Sequence, residues 1–368
     1  MLVGPIEERW IAAFCRTLAG CALRADERCV VLSQTRSRPD LVRLAEVALL
    51  RMGAKPFQLR LLGPGARDRD DAWLEPAIDA LATADFVLDL SPHGLMHASA
   101  LPRILATGTR VLSIGNEHPD TLERLAPDPA QVALLRVVRQ RVESSRRLQV
   151  TSRAGTQLLV STAGSRCIAS SGFADEPGVH ASWPAGTCQV FAVPHAVNGI
   201  VSLSVGDANL AFNRYVESRL RLLVQNDVVT DIKGDGVDAR LLRHRLVPAA
   251  HGGASAAFDP QSRRDHLVSH LGFGLNPAAR WEAMTLYDRR DFGGAELRAC
   301  QATLHLSIGV ADDSGRPATD PIDLVLADCT VALDAEVIID EGRLAAGVVG
   351  DAARIGHNPV TPSTGAHS

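Results

Sequence analysis

The chain has 368 residues, of which 46% are hydrophobic and 22% charged, a balance typical of a globular protein with one large or two ordinary domains. A formal net charge of −4 excludes a general attraction to nucleic acids or acidic membranes, so neither is expected as a partner. No apolar run approaches the length of a membrane span, and charged residues interrupt the first segment. We therefore expect a cytoplasmic protein without a signal peptide.

Residues 1–147 predict an α/β domain. Short apolar runs alternate with amphipathic patterns, a rhythm that favours a mostly parallel, doubly wound sheet. Ligands of such sheets lie beyond the carboxyl ends of the strands, which here carry 91–93 (SPH) and 115–118 (GNEH). No GxGxxG or P-loop motif follows a strand, which excludes the usual nucleotide sites. The predicted strands are 29–33, 57–62, 86–90 and 110–114, and the predicted helices are 41–52, 75–84 and 101–106.

Residues 148–356 predict a second, β-rich α+β domain, which is entered through a connecting helix at 130–147. Runs such as QVFAV, IVSLSV and TLHLSIG in this half are typical of strands. Residues 214–224 are compatible with a strand or with a short helix. The polar tail 357–368 is expected to be frayed.

The cysteines and one basic stretch have features that indicate structural roles. Seven cysteines are scattered along the chain without a CxxC pair, which indicates reduced thiols that act mostly as small buried hydrophobes. The basic stretch 136–147 (RVVRQRVESSRR) is interpreted as the solvated face of a helix.

Three segments of the second half hold candidate chemistry. Segment 171–186 (SGFADEPGVHASWPAG) mixes acids, a histidine and a tryptophan, as segments that line sites often do, although a surface loop is equally compatible. His270 is followed by two glycines that allow a ligand to approach the backbone closely. A strand at 304–309 leads to a second at 322–331, where a buried Asp323 would need a partner.

The sequence resembles the family of 2,5-dihydroxypyridine 5,6-dioxygenase, which belongs with the leucyl aminopeptidase T-like metallopeptidases. The resemblance implies an N-terminal α/β domain, a C-terminal β-rich domain and a cleft between them. It covers most of the chain, and the matching stretches run in the family's order. They are 94–99 (GLMHAS), 107–125 (TGTRVLSIGNEHPDTLERL), 172–178 (GFADEPG), 183–186 (WPAG), 197–199 (VNG), 233–242 (KGDGVDARLL), 270–281 (HLGFGLNPAARW) and 323–334 (DLVLADCTVALD).

The resemblance also implies a site for one ferrous iron, held by two histidines and one aspartate in a facial arrangement. His270 matches the first histidine and Asp323 matches the aspartate, but the second histidine is Pro321 in this chain. Proline offers a metal no side-chain lone pair. His305 is the alternative ligand: it lies two residues before Ser307, so both side chains point to one face of a strand.

Two further positions depart from the aminopeptidase relatives. Those relatives have a glutamate just before the VNG turn, where this chain has 194–195 (PH). They also have a histidine directly before the tryptophan of the WPxG segment, where this chain has Ser182. His180 lies two positions away and is expected to point elsewhere.

The incomplete metal site favours a metal-free binding protein on this scaffold, with no cofactor. The pocket would keep the family's base as His97 and its pocket serine as Ser307. A short peptide or a small aromatic molecule is the expected ligand, because the relatives act on peptides and hydroxypyridines. Presentation of a precursor peptide to other enzymes of a specialised peptide natural product pathway follows by analogy alone, as does a homo-oligomer. The predicted ligand-binding residues are His97, Glu176, Trp183, His270, Asn276, Ser307 and Asp323.

Two enzymatic alternatives remain open. The first is an Fe(II)-dependent ring-opening dioxygenase, or an aminopeptidase with Fe(II) or Zn(II), in which His270, Asp323 and His305 hold the ion. His97 would then act as the general base near neutral pH. The second is a metal-independent enzyme in which His97 or His270 performs acid–base catalysis alone.

Overall fold

The computed structural model describes residues 5–62, 74–92, 94–96, 98–126, 128–246, 266–288, 292–309 and 321–356. The helices in these ranges are α1 (Glu8–Gly20), α2 (Pro39–Arg51), α3 (Ile78–Ala82), α4 (Leu101–Leu105), α5 (Pro119–Arg124), α6 (Pro129–Ser144), α7 (Val237–Leu246), α8 (Ala283–Leu286), α9 (Ala295–Ala299) and α10 (Ala346–Gly356). The strands are β1 (Arg28–Gln34), β2 (Lys55–Leu61), β3 (Phe86–Asp89), β4 (Arg110–Ile114), β5 (Arg147–Ser152), β6 (Gln157–Ser161), β7 (Arg166–Ser170), β8 (His180–Trp183), β9 (Thr187–Phe191), β10 (Val197–Leu203), β11 (Ala208–Asn209), β12 (Arg214–Tyr215), β13 (Leu220–Gln225), β14 (Val228–Lys233), β15 (Val268–Gly274), β16 (Leu304–Ile308), β17 (Ile322–Leu326), β18 (Cys329–Leu333), β19 (Glu336–Asp340) and β20 (Arg343–Leu344).

The first half of the chain forms the predicted parallel sheet, in the order β2-β1-β3-β4-β8. Its central strand β3 is buried at all of its positions, because helices cover both faces of the sheet, whereas the edge strand β2 has no buried position. Apolar side chains of α1, α2 and α5 pack on one face, and those of α3 and α4 pack on the other. The predicted α/β class is therefore confirmed.

The fifth strand of this sheet, β8, comes from the second half of the chain. It pairs in parallel with β4, with Val111 opposite His180 and Ile114 opposite Trp183. Trp183 is only 2% exposed and belongs to the core beneath α1 and α2. Segment 171–186, for which a surface loop was one interpretation, therefore contains a strand that ties the second half of the chain to the first sheet.

The second half of the chain forms two antiparallel sheets, in agreement with the strand-like runs in its sequence. One has eight strands, in the order β14-β13-β10-β6-β5-β18-β19-β20, and the other has seven, in the order β12-β11-β17-β16-β15-β9-β7. A shared core lies between their apolar faces, and α6, α7 and α10 contribute to it. The ambiguous segment 214–224 contains the strand β12 and most of the strand β13.

The centre of the seven-stranded sheet has one apolar and one polar face. Leu271, Leu306 and Leu324 point into the shared core, and the residues between them point to the opposite face, because side chains alternate along a strand. This opposite face, which we call the polar face, carries the histidines and the aspartate singled out in the sequence.

Most of the cysteines are buried, which agrees with their interpretation as small hydrophobes. All seven cysteines are unpaired, and five of them are buried. No helix in the described ranges is long and apolar enough to cross a lipid bilayer.

Candidate functional site

A row of three polar side chains crosses the centre of the seven-stranded sheet. His270 on β15 lies opposite Ser307 on β16, and Ser307 lies opposite Asp323 on β17. Directly paired residues point to the same face of a sheet, so the pairing brings the three side chains together on the polar face. All three are nearly buried, with exposed fractions of 7%, 1% and 6%.

His305 lies in the next row, between Gly272 on β15 and Val325 on β17. A Cβ atom on Gly272 would overlap the His305 ring, so only glycine lets the imidazole lie flat across the neighbouring strand. The His305 ring is fully buried, and its centroid is 5.6 Å from that of His270. Neither of its nitrogens has a hydrogen-bond partner among the described residues.

Burial keeps the His305 ring neutral. Desolvation lowers the pKa of His305 from 6.5 to about 4, although Asp323 raises it in opposition. Protonation of a buried imidazole costs free energy when no hydrogen-bond acceptor lies beside the ring. At neutral pH the ring therefore presents one N–H donor and one nitrogen acceptor.

The Asp323 carboxylate is paired with a guanidinium. Nε of Arg298 lies 2.6 Å from Oδ2 of Asp323, and Nη1 of the same arginine donates to the carbonyl of Gly293 at 3.2 Å. Burial raises the pKa of Asp323, but the charge of Arg298, followed by His270 and the Ser307 hydroxyl, outweighs it and holds the pKa well below the usual range. The other oxygen, Oδ1, has no partner in the described part of the chain.

Buried contacts from the first half of the chain anchor the short helix α9, which carries Arg298. Glu296 is fully buried, and its carboxylate lies 2.6 Å from Nη2 of Arg124 on α5. The carboxylate of Glu117 accepts a hydrogen bond of 2.8 Å from the backbone N–H of Ala295. Glu117, which was expected to face a ligand at the end of β4, instead satisfies the first turn of α9.

The polar face is more exposed toward the edge strand β7. The guanidinium of Arg166 lies 4.7 Å from the centre of the Phe191 ring, and that ring is 5.0 Å from the His270 ring. Nε2 of Gln189 lies 3.4 Å from Nε2 of His270. A half-buried aromatic ring and a cation therefore stand beside the histidine, on the side away from Asp323.

Known proteins share both the sequence and the fold. The sequence profile of 2,5-dihydroxypyridine 5,6-dioxygenase matches residues 9–346. The chain belongs to the 2,5-dihydroxypyridine 5,6-dioxygenase family. The enzyme of that name from Pseudomonas putida strain KT2440 is 29% identical over 334 residues, which are 86% of this chain and 90% of the enzyme.

Solved structures agree with this family assignment and show that the fold is shared more widely. The structure of 2,5-dihydroxypyridine dioxygenase from Pseudomonas putida KT2440 has a TM-score of 0.82 and 28% identity, and the match covers 93% of this chain and 99% of that one. AmpT from Thermus thermophilus has a TM-score of 0.58 at 15% identity, over 92% and 100% of the two chains. The resemblance inferred from the motifs is confirmed, and the second match shows the shared fold.

Among the described residues, the ligands that the resemblance implies for ferrous iron are only partly present. His270 and Asp323 stand in one row of the polar face, on either side of Ser307. Pro321 takes the place of the second histidine, and Arg298 already neutralises the Asp323 carboxylate. His305 shares the face. Even so, the described ranges contain no group of three or more His, Cys, Asp or Glu side chains arranged to hold a metal ion.

The other predicted site residues are not brought into contact with this row by any described bond. His97 lies outside the described residues. Glu176 is exposed and Trp183 is buried in the core of the first sheet. Asn276 is fully buried, and its amide is bonded within the protein: it donates to the carbonyl of Ala185 and accepts from the side chain of Gln131.

His180, two positions before Ser182, lies on β8 and is bonded within the first sheet. Nε2 of His180 lies 3.0 Å from the Ser113 hydroxyl. That hydroxyl also donates to the buried carboxylate of Asp89 at 2.9 Å. His180 is thereby part of the polar network at the carboxyl ends of β3 and β4.

Sequence reasoning missed Arg298, Gln189 and Phe191. The requirement that a buried Asp323 have a partner was the signal that could have found Arg298. No spacing rule connects the two residues, because the arginine comes from a five-residue helix outside the sheet.

Proposed function

We propose that this protein binds a small aromatic or short peptide ligand on the dioxygenase scaffold without using ferrous iron. The observation that carries the proposal is the Arg298–Asp323 ion pair at 2.6 Å, beside a proline in place of the second metal histidine. A guanidinium cannot lose its charge at any physiological pH, so Arg298 stays a cation beside the Asp323 carboxylate.

Electrostatics oppose a divalent ion at this carboxylate. Two like unit charges 4 Å apart repel by about 4 kcal/mol at the effective dielectric constant of a protein surface, and a divalent ion roughly doubles that value. Two protein ligands in place of three add too little to offset this repulsion. The arginine therefore supports a site that has exchanged its metal for an internal cation.

The unpartnered polar atoms support a ligand that brings hydrogen-bond donors and acceptors. Oδ1 of Asp323 and both ring nitrogens of His305 are buried without partners in the described ranges, and leaving such groups unpaired costs free energy. A ligand N–H or O–H would satisfy Asp323, and a planar ring would stack on Phe191. Peptide amides and hydroxylated heteroaromatic rings both have this chemistry.

Presentation of a precursor peptide to other biosynthetic enzymes, from a cytoplasmic homo-oligomer, is the most specific form of this proposal. The likeness to AmpT from Thermus thermophilus gives a shared fold and no more. Function still has to be argued from the site rather than from the fold.

A metal titration with a matched pair of variants tests the proposal. We expect the wild-type protein to bind neither Fe(II) nor Zn(II) stoichiometrically, and to bind 2,5-dihydroxypyridine or a short peptide saturably in the presence of a chelator. Arg298→Met removes the internal cation, and Arg354→Met removes an exposed arginine whose side chain is 84% accessible. Tight 1:1 metal binding by the wild-type protein, lost on His270→Ala, would rule the proposal out.

An Fe(II)-dependent dioxygenase with a rearranged site is the second candidate. The family match supports it, and so does the neutral, unpartnered imidazole of His305, which is the protonation state that a metal ligand requires. Under this candidate, dioxygen consumption with 2,5-dihydroxypyridine depends on added Fe(II) and disappears in His305→Ala. Turnover in the presence of a chelator would exclude this candidate.

A further inference from the structure

A cavity lies at the far end of β17 from Asp323. It has a volume of about 270 Å³ and is formed where the β5–β6 turn, the start of β11 and the turns after β17 and β19 meet. Leu326, three residues beyond Asp323, lines it, so the two sites are separated by roughly 10 Å along the strand. No residue of the His270–Ser307–Asp323 row takes part.

The lining of this cavity is acidic. The carboxylates of Asp207, Asp328 and Glu341 face it against one guanidinium, that of Arg153, which leaves two excess negative charges. Arg153 is committed to Glu341, with its Nη2 2.6 Å from the carboxylate. The cavity therefore has a negative potential that the lining residues do not neutralise.

Asp207 is the buried member of this set. Its side chain accepts backbone N–H bonds from Ser204 at 2.7 Å and from Ala327 at 3.1 Å, and it is only 7% exposed. No cationic side chain in the described ranges forms an ion pair with it. Each carboxylate oxygen keeps a second lone pair, so Asp207 can accept two further hydrogen bonds from a donor in the cavity.

Ser202 provides an independent sign of a missing ligand. Its side chain lines the same cavity and is 98% buried, yet its hydroxyl has no hydrogen-bond partner among the described residues. The backbone around it is satisfied, since its N–H donates to the Thr156 hydroxyl at 3.0 Å. A buried hydroxyl is rarely left unpaired unless something outside the chain completes it.

We propose that this cavity binds a small hydroxylated organic ammonium ion, with the ammonium group on the Asp207 carboxylate and the ligand hydroxyl on Ser202. An ammonium group has three donors and no acceptor, which matches a carboxylate with spare lone pairs. The acidic lining draws a cation into the cavity. The cavity has room for a molecule of amino-alcohol size, and the described residues include no group of His, Cys, Asp or Glu side chains spaced for a metal ion.

Calorimetric titration of the full-length protein tests this site, with ethanolamine hydrochloride as the probe. Ethylene glycol, which is the same size but neutral, and sodium chloride are the matched controls. We expect saturable 1:1 binding of ethanolamine and none of either control. Asp207→Asn should weaken binding by more than about tenfold, because it removes a charge-assisted bond.

Ser202→Ala separates a ligand site from a structural defect. Deleting an unpartnered hydroxyl should leave the unliganded protein as stable as the wild type or more stable, while weakening ethanolamine binding by about fivefold. Ser161→Ala, on an exposed position of β6, should change neither quantity. Absence of saturable binding, or equal affinity in the wild type and Ser202→Ala, overturns the proposal even where Asp207→Asn fails to fold. These outcomes do not depend on the proposed ligand site at Asp323, so this proposal and the proposed function can fail separately.

Discussion

Asp323 and Asp207 are both buried carboxylates beside the seven-stranded sheet, and they are held in opposite ways. Asp323 has a guanidinium at 2.6 Å, and its pKa lies below the usual range. Asp207 has two backbone N–H donors and no cation in the described ranges, and burial raises its pKa to about 6. Burial alone therefore does not fix the charge of a carboxylate; the partner that the fold supplies does.

Removal of Arg298 should have the largest effect on stability. Arg298→Met leaves Asp323 buried without its cation, and breaking one side of such a pair costs about 3–5 kcal/mol. Urea denaturation of the variant against the wild type measures the loss. The double variant Arg298→Met/Asp323→Asn should recover much of it, because no unpaired charge remains. A single variant as stable as Arg354→Met would contradict the buried pair.

His305 should make the protein less stable as the pH falls. Its folded pKa of about 4 lies below the unfolded value of 6.5, so the unfolded state binds the proton first. The stability present above pH 6.5 is then lost progressively toward pH 4, by about 3 kcal/mol. Unfolding free energies across this window should fall less steeply in His305→Gln than in the wild type. Parallel pH profiles for the two proteins would contradict a neutral buried ring.

Asp207 should act in the opposite direction over nearly the same window. Its folded pKa of about 6 lies above the usual 3.8, so the folded state binds the proton first. The contribution of Asp207 to stability should rise by about 3 kcal/mol as the pH falls from 6 to 4, which opposes the loss from His305. Asp207→Asn removes this rise, and its acid profile should therefore fall more steeply than that of the wild type. Saturating ethanolamine should make the acid profile of the wild-type protein fall more steeply, because the ligand favours the ionised Asp207 carboxylate.

A methyl group on Gly272 should have the smallest of these effects. The Cβ of Gly272→Ala would overlap the His305 ring, and overpacking of this kind costs about 1–3 kcal/mol. Gly350→Ala is the control, since no atom lies within 4 Å of a Cβ built there. The double variant Gly272→Ala/His305→Ala should regain the stability that Gly272→Ala loses, because the overlapping ring is absent. Thermal unfolding at neutral pH measures all three variants.

The sequence predicted the fold more completely than the site. Runs such as 29–33 and 86–90 are apolar and short, and they became central parallel strands because helices cover both of their faces. Runs such as QVFAV and IVSLSV predicted strands in the second half of the chain. The position of β8 could not be predicted, since no local pattern shows that residues 180–183 pair with β4 across nearly seventy residues of chain.

The site was predictable only where strand periodicity applies. The two-residue spacing of His305 and Ser307 placed both on one face, as the pairing shows. The pairing of Ser307 with His270 and Asp323 requires the register of three strands, which depends on long-range packing. Arg298 reaches the sheet from a short helix anchored by Glu117 and Arg124, and no spacing in the sequence encodes that approach.

The insertion of β8 into the first sheet makes each half of the chain depend on the other during synthesis. A nascent chain that has emerged only as far as α6 has β4 at the rim of the sheet, with a row of unsatisfied backbone groups and no strand to cover it. Such a fragment would tend to pair with other copies of itself until residues 180–183 arrive. Expression of the first 147 residues alone should therefore yield aggregates.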